Sequence, residues 1–265
     1  MNLFKKAIFF TDIHFGLKSN SRTHNQDCLD FVEFVIKTGK AQNCETCVFL
    51  GDWHNNRASL QIGTLNYSVQ AIDKLSAAFD QIIFIPGNHD EHYRDTREMN
   101  SVVWAKKYEN LRLFDEITTV DDVCITPWLV GDEHKKIKKV EAKYMFGHFE
   151  LPSFYMNAMV QMPDVGDLRR DDLKCETVFT GHFHKRQTNK NITYIGNAFP
   201  HNYADVGDDD RGCMILDWGK DPVYIPWPDA PKYRKFRLSE ILEDTDRLLL
   251  SNMYCRVEID VDISY

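Results

Sequence analysis

The sequence predicts an α/β protein with two β-sheets at its centre and helices outside. Three observations lead there. Short β-rich apolar runs alternate with helical patterns through the first half, the second half is denser in such runs, and 265 residues suffice for one large domain. Strand Ala7–Phe10 comes first, followed by a helix over Asp27–Lys37 with Leu29, Val32 and Ile36 on one stripe. Cys47–Leu50 is the second strand. A longer helix over Leu60–Phe79 follows, with Leu65, Val69, Ile72 and Leu75 on one face. Ile82–Ile85 and a shorter helix over Glu98–Tyr108 complete an alternation that argues for a largely parallel, helix-covered sheet. Val123–Thr126, a helix over Glu133–Lys143, then Tyr144–Phe146, Thr177–Thr180, Ile192–Ile195, Met214–Leu216 and Val223–Ile225 supply the second half.

Four of the nine prolines fall in Pro222–Pro231, which reads as an extended linker. Beyond it we expect a helix capped by Ser239, with Leu242, Leu248 and Leu249 apolar, and a strand Tyr254–Ile263. In that strand Val257, Ile259, Val261 and Ile263 alternate with Glu258, Asp260 and Asp262. One helix and one strand are not a domain, so we expect residues 1–228 to form one domain and 229–265 a linker with part of a second.

With 43% hydrophobic and 27% charged residues the composition is that of a globular protein in water, and no apolar run approaches the roughly 20 residues of a membrane span. The N-terminal apolar run is too short for a signal peptide, and seven cysteines, an odd number, read as reduced thiols of a cytoplasmic protein. The net charge of -8 argues against coating nucleic acid by bulk charge. Five of those eight negatives lie from Glu240 onward, where seven acids face two bases. Two divalent ions beside the remaining acids would leave the rest of the chain near neutral.

Five apolar runs each end in a turn that delivers a metal-ligand residue type: Asp12-Ile-His14, Gly51-Asp52, Gly87-Asn88-His89-Asp90, Gly147-His148 and Gly181-His182-Phe183-His184. Ligands of open α/β sheets bind outside the carboxyl ends of strands, so these turns are expected to converge. In an extended segment the i, i+2 spacing of Asp12/His14 and His182/His184 would put each pair on one face. Seven nitrogen and oxygen donors without a thiolate are too many for one tetrahedral ion and suit two ions sharing a carboxylate. Imidazole mixed with carboxylate favours Mn²⁺, Fe²⁺ or Zn²⁺ over Ca²⁺. Singly, each block is more often a turn or a satisfied core histidine; the five in order carry the reading.

The ordered set D-x-H, G-D, G-N-H-D, G-H, G-H-x-H resembles the calcineurin-like metallophosphoesterases, over about Lys6 to Trp227. The resemblance implies a four-layer α/β-β/α sandwich with two mixed sheets, followed here by the start of a small C-terminal capping domain. It also implies Asp12, His14, Asp52 and His184 at one metal, with Asp52, Asn88, His148 and His182 at the other. His89 matches the family's catalytic histidine. The stretches Gly147–Met159, Gly181–His184 and Tyr194–Gly212 resemble the nuclease subunits of SbcCD-type DNA repair complexes, and within them the form found in T-even-like phages. That implies a DNA exo/endonuclease with two divalent ions, Mn²⁺ ahead of Mg²⁺, Fe²⁺ or Zn²⁺. It further implies a coiled-coil ATPase partner of the SbcC type, a homodimer, no membrane and action in the cytoplasm, a host cell's if phage-encoded. A nucleotide or small-molecule phosphodiesterase of the same fold is the alternative, and a non-catalytic scaffold a weaker one.

Many relatives carry an assisting histidine three residues beyond the shared aspartate; this chain has Asn55 there and His54 one residue earlier. His54, Asn55, Arg57, Lys185 and Arg186 are expected to face substrate. The basic run His134–Lys139 reads first as a solvated helix face with Ile137 and Val140 inward, Cys44 and Cys47 as ordinary buried thiols, and Met156, Met159 and Met162 as packing. The acidic loop Asp205, Asp208, Asp209 and Asp210 reads as a solvated turn or a gate. His24, His92, His134 and His201 fit no block.

Overall fold

The computed structural model describes residues 2–157 and 160–262, without the side chain of Arg247. The strands in chain order are β1 (Lys6–Phe10), β2 (Thr46–Phe49), β3 (Gln81–Phe84), β4 (Leu111–Leu113), β5 (Thr118–Val120), β6 (Val123–Thr126) and β7 (Tyr144–His148). They continue with β8 (Thr177–Gly181), β9 (Gln187–Asn189), β10 (Ile192–Tyr194), β11 (Gly212–Asp217), β12 (Val223–Pro226), β13 (Lys232–Arg237) and β14 (Met253–Glu258). Two six-stranded sheets form, in the orders β12-β11-β1-β2-β3-β4 and β5-β6-β7-β8-β10-β9. Both are mixed: β1 through β4 run parallel beside antiparallel β11 and β12, and β6, β7, β8 and β10 run parallel between antiparallel β5 and β9.

The pleat of β1 assigns the layers. Ala7 and Phe9 face the second sheet, joining Val48, Leu50, Ile83, Phe146, Phe179 and Met214 in an inter-sheet core. Ile8 and Phe10 face outward beneath helices Arg22–Ala41 and Ile62–Ala78, with Phe31, Val32, Ile72 and Leu75. The outer face of the second sheet (Met145, Val178, Tyr194) is covered by Ile137, Leu151, Phe154 and Leu168, from short turns and loops. The four-layer sandwich with two mixed sheets is therefore present, its fourth layer mostly irregular.

Several expected elements differ. The first helix starts at Arg22, five residues early, because the Ser21 hydroxyl accepts the His24 amide. Glu98–Tyr108 yields only a 3₁₀ turn, Val103–Lys107, and Glu133–Lys143 only the single turn His134–Ile137. Ile137 is buried beneath that turn and Val140 packs beside it, while Lys135 and Lys138 pair with Asp132 and Asp172, so the bland reading of the basic run fits. Pro222–Pro231 is not linker throughout. Val223–Pro226 is the edge strand of the first sheet, a place where a proline's missing N–H is tolerated, and Trp227 lies in the core.

Ser239 is not a helix cap; its amide and hydroxyl bond the Asp260 carboxylate, and two short helices, Leu238–Glu243 and Thr245–Leu248, replace one. The last strand ends at Glu258 and pairs in parallel with β13, leaving Val257 and Ile259 exposed; Ile263, expected in it, lies outside the described residues. This two-stranded sheet is held to the sandwich by Lys18, which donates to the Tyr233 hydroxyl beneath the stacked Tyr233 and Tyr254 rings, and by Arg234 on Asp209. All seven cysteines are free thiols. Cys47 is fully buried and Cys44 nearly so, and burial pushes the Cys44 thiol up to about 11. Among the described residues no helix is long and apolar enough to cross a membrane.

Candidate metal centre

Because β1, β2 and β3 are parallel in one sheet and β7 and β8 in the other, their carboxyl ends bring all five motif turns to one edge of the sandwich. Asp12, His14, Asp52, Asn88 and His148 are buried there; His89, His182 and His184 are half-buried at the mouth. The donor atoms fall into overlapping groups: Asp12 with His14 and His184, His14 with Asp52 and His89, and Asp52 with His148 and His182, each within 4.8 Å. Asp52 thus sits between two donor sets. His14 Nε2 is 3.8 Å from Asp12 Oδ1 and 3.7 Å from Asp52 Oδ2. His148 Nε2 is 3.4 Å from Asp52 Oδ2 and 3.1 Å from Asn88 Oδ1, and His182 Nδ1 is 2.9 Å from that same amide oxygen.

Both ring nitrogens of His14 are buried and make no hydrogen bond. A buried unpartnered imidazole is costly, and its spacing from two carboxylates exceeds a hydrogen bond. Metal–ligand bonds of about 2.0–2.2 Å set neighbouring donors roughly 3–4 Å apart, so an ion would satisfy the gap. The residues present therefore fit divalent metal. Asp52 and His148 are tied electrostatically: burial works against both charges, yet each raises or lowers the other so that His148 is held up at about 9 and Asp52 well below the usual carboxylate range. Burial, with too little compensation from Asp52, holds His14 well below the usual imidazole range, so it presents a neutral nitrogen.

The convergence is not the pleat of a strand. Asp12, His14, Asp52 and His182 have φ of 50°, 53°, 61° and 89°, a left-handed backbone that costs of order 1–3 kcal/mol per non-glycine residue. Asp12 and His14 meet through this turn, and His182 and His184 fall into different donor sets, so the expected i, i+2 faces are corrected on both counts. Glycines make the close approach feasible: a Cβ on Gly51 (φ 104°) would lie 2.3 Å from His148 Nδ1, and one on Gly87 2.2 Å from Asp52 Oδ1.

A set of supporting residues orients the donors. His148 Nδ1 donates to Leu50 O (2.7 Å), which turns Nε2 toward Asp52 and Asn88. Thr11 Oγ1 and the His182 amide donate to Asp12 Oδ2 (2.7 and 3.0 Å), and His201 Nε2 donates to Asp12 O (2.8 Å). His24 Nε2 does the same for His14 O (3.0 Å). Asp90 is buried and accepts four amides: Asp52, Trp53 and Gly87 on Oδ2 (3.0, 3.2 and 2.9 Å) and His54 on Oδ1 (2.9 Å). It thereby locks the loops carrying Asp52 and Asn88 together. His89 donates from Nδ1 to Asn55 O (2.7 Å) and from its amide to Asp52 Oδ1 (2.8 Å), leaving Nε2 free.

The expected substrate residues divide. His54 is corrected: it is fully buried, its ring nitrogens taken by Ser68 and Ser101 at 2.8 Å each, and burial pushes it down to about 3. It is a core histidine and cannot touch a substrate. Arg186 is half-buried, its guanidinium donating to Ile195 O and Asp210 and stacking on Tyr224. Asn55 acts through its backbone on His89. Arg57 is half-buried with the Asp52 carboxylate in its field, and Lys185 lies over the Tyr155 ring.

The acidic loop is tied down by ion pairs and hydrogen bonds. Asp208 takes a bidentate bond from buried Arg211 (2.7 Å twice), Asp209 pairs with Arg234 and Asp210 with Arg186. Asp205 Oδ2 accepts the His201 amide at 2.8 Å. It anchors the histidine that holds Asp12. Of the unassigned histidines, His24 and His201 are thus placed at the centre, His92 donates to Arg57 O, and His134 stays outside the donor groups. Met156 is exposed and Met162 packs on the outer core; Met159 lies outside the described residues.

The profile of the calcineurin-like phosphoesterases matches residues 5–186. The exonuclease subunit 1 of Enterobacteria phage T4 is 29% identical over 222 residues, covering 80% of this chain. The match spans 64% of that relative's length. Among solved structures, a phosphoesterase from E. coli aligns over 85% of this chain and 94% of its own at 14% identity and a TM-score of 0.43. A nuclease from Pseudomonas putida aligns over 68% and 62% at 15% identity and a TM-score of 0.37.

Proposed function

This chain belongs to the calcineurin-like phosphoesterases, and from that premise we propose that it is a divalent-metal-dependent DNA nuclease subunit. The observation that carries the reading is Asp52, whose carboxylate lies in one donor group with His14 and in another with His148 and His182. In this reading Asp12, His14, Asp52 and His184 hold one ion, and Asp52, Asn88, His148 and His182 the other. When bound, such ions would polarise a phosphodiester oxygen and lower the pKa of a coordinated water. The chain's residues do the rest. The carbonyl of Asn55 fixes the His89 tautomer, so that Nε2 faces the scissile group and, when protonated, donates to the departing oxygen. Half-buried Arg57, in the field of the Asp52 carboxylate, would contribute positive charge toward the phosphate. DNA as substrate is supported by similarity to a phage exonuclease subunit.

A subunit implies a partner, for which we propose a coiled-coil ATPase, with residues 1–228 as the nuclease domain and 229–265 opening a capping domain. A homodimer is supported by Ile62, Leu65, Met99 and Val103, which are apolar and exposed. Mn²⁺ is the proposed metal, because the donors mix imidazole with carboxylate and amide oxygens. The test is Mn²⁺-dependent release of nucleotides from duplex DNA, run beside cyclic nucleotides and aryl phosphates. Turnover of the small substrates with DNA left intact would favour the small-molecule reading, and no turnover of either would end the enzymatic one.

A further inference from the structure

A cavity of about 260 Å³ adjoins the metal centre, with His148 in its wall. Trp128 forms another wall. Its ring centroid lies 5.1 Å from that of His182, tilted by 44°, and 6.1 Å from that of His148. The indole stands on a fixed main chain. The Trp128 amide donates to Pro86 O at 3.1 Å, in the loop that carries Asn88. Its carbonyl accepts Arg97 Nε and Nη2 at 3.1 and 2.8 Å, and Arg97 is paired with Glu133, whose carboxylate also takes the Val130 amide. A half-exposed aromatic face is thereby held rigidly beside the donors.

The remaining polar groups of the cavity do not suit a phosphate. Glu150 and Asp167 line it, and His134 is its only other titratable group besides His148. Glu150 Oε1 lies 3.6 Å from His182 Nε2, at the seam between cavity and centre. Carboxylates repel a phosphodiester, whereas they accept hydrogen bonds from the amino groups of base edges. An aromatic wall with carboxylate acceptors, beside the donor histidines His148 and His182, has the composition of a base subsite.

We infer that the Trp128–Glu150 cavity receives the nucleobase adjoining the scissile phosphate and stacks it on the indole. This rests on the phosphodiesterase reading above and adds what the enzyme grips beside the phosphate. The test uses the Mn²⁺-loaded protein on the p-nitrophenyl ester of deoxycytidine 5′-phosphate and on methyl p-nitrophenyl phosphate, which lacks a base. The wild type prefers the nucleoside ester; Trp128→Ala cuts that preference roughly tenfold, through KM, and Trp128→Phe keeps most of it. In parallel, deoxycytidine 5′-phosphate quenches the tryptophan fluorescence of the wild type and not that of Trp128→Phe. An unchanged preference in Trp128→Ala overturns the subsite while hydrolysis of the methyl ester leaves the phosphodiesterase reading standing. If no ester is cleaved, the quenching decides alone: its presence upholds the cavity as a base site without that reading, and its absence overturns both.

Discussion

Replacing Asp90 by asparagine should cost both stability and metal affinity. The carboxylate accepts three amides on one oxygen and one on the other, all buried. Asparagine can keep its oxygen toward the three, but its NH₂ then faces the His54 N–H, donor against donor. The lost bond to a charged acceptor and the stranded amide are each worth about 1–3 kcal/mol, so we expect a loss of about 2–4 kcal/mol in unfolding free energy. Burial, with the Asp52 charge beside it, pushes the Asp90 carboxyl up to about 7, and the amides pull the other way. The variant distinguishes these tendencies, because a carboxyl already protonated would lose little on becoming an amide. Urea unfolding followed by circular dichroism measures the change, and Mn²⁺ titration should show an affinity about 10–100-fold weaker, as for other groups that orient metal ligands. A loss below about 0.5 kcal/mol with unaltered affinity would refute the clamp.

Four further outcomes are expected. His89→Asn should bind metal and DNA yet cleave roughly 10²–10⁴-fold more slowly in single-turnover assays. Arg211→Met, which strands Asp208 and loosens Asp205, should lower stability by about 3–5 kcal/mol on denaturant unfolding. Adding Mn²⁺ at about 100 times its Kd should raise stability by about 2.7 kcal/mol for each ion bound, and a chelator should reverse it, both visible as shifts in Tm. Burial raises Asp27 to about 6 from 3.8, so between those values the folded state holds more protons than the unfolded chain and stability falls as pH rises. Asp27→Asn should accordingly raise Tm at pH 7 and leave it unchanged near pH 3; an equal effect at both would show that the carboxyl is not displaced.

The strands that carry the site were readable because buried parallel strands are continuous apolar runs: Ile82–Ile85 is offset from β3 by one residue, and Thr177–Thr180 stops one residue short of β8. Short edge strands such as β9, Gln187-Thr188-Asn189, carry no apolar run and owe their form to pairing with β10. The helix expected over Glu98–Tyr108 shortened to a 3₁₀ turn because that segment is tied across to other loops: Arg97 to Trp128 and Glu133, and Ser101 to Asp90 and His54. The donor residues were legible as motifs. Their supports were not, since His24, Asp90 and His201 act through contacts 10, 38 and 189 residues distant that no spacing rule encodes. His54 misled for the same reason: beside a site in sequence, its ring turns into the core between Ser68 and Ser101.

The central claim is that Asp52 joins two metal sites. Mn²⁺ titrated into the metal-free protein and read by electron paramagnetic resonance should give two ions per chain with an exchange-coupled signal, and Asp52→Asn should abolish the coupling. One uncoupled ion per chain in the wild type would contradict it.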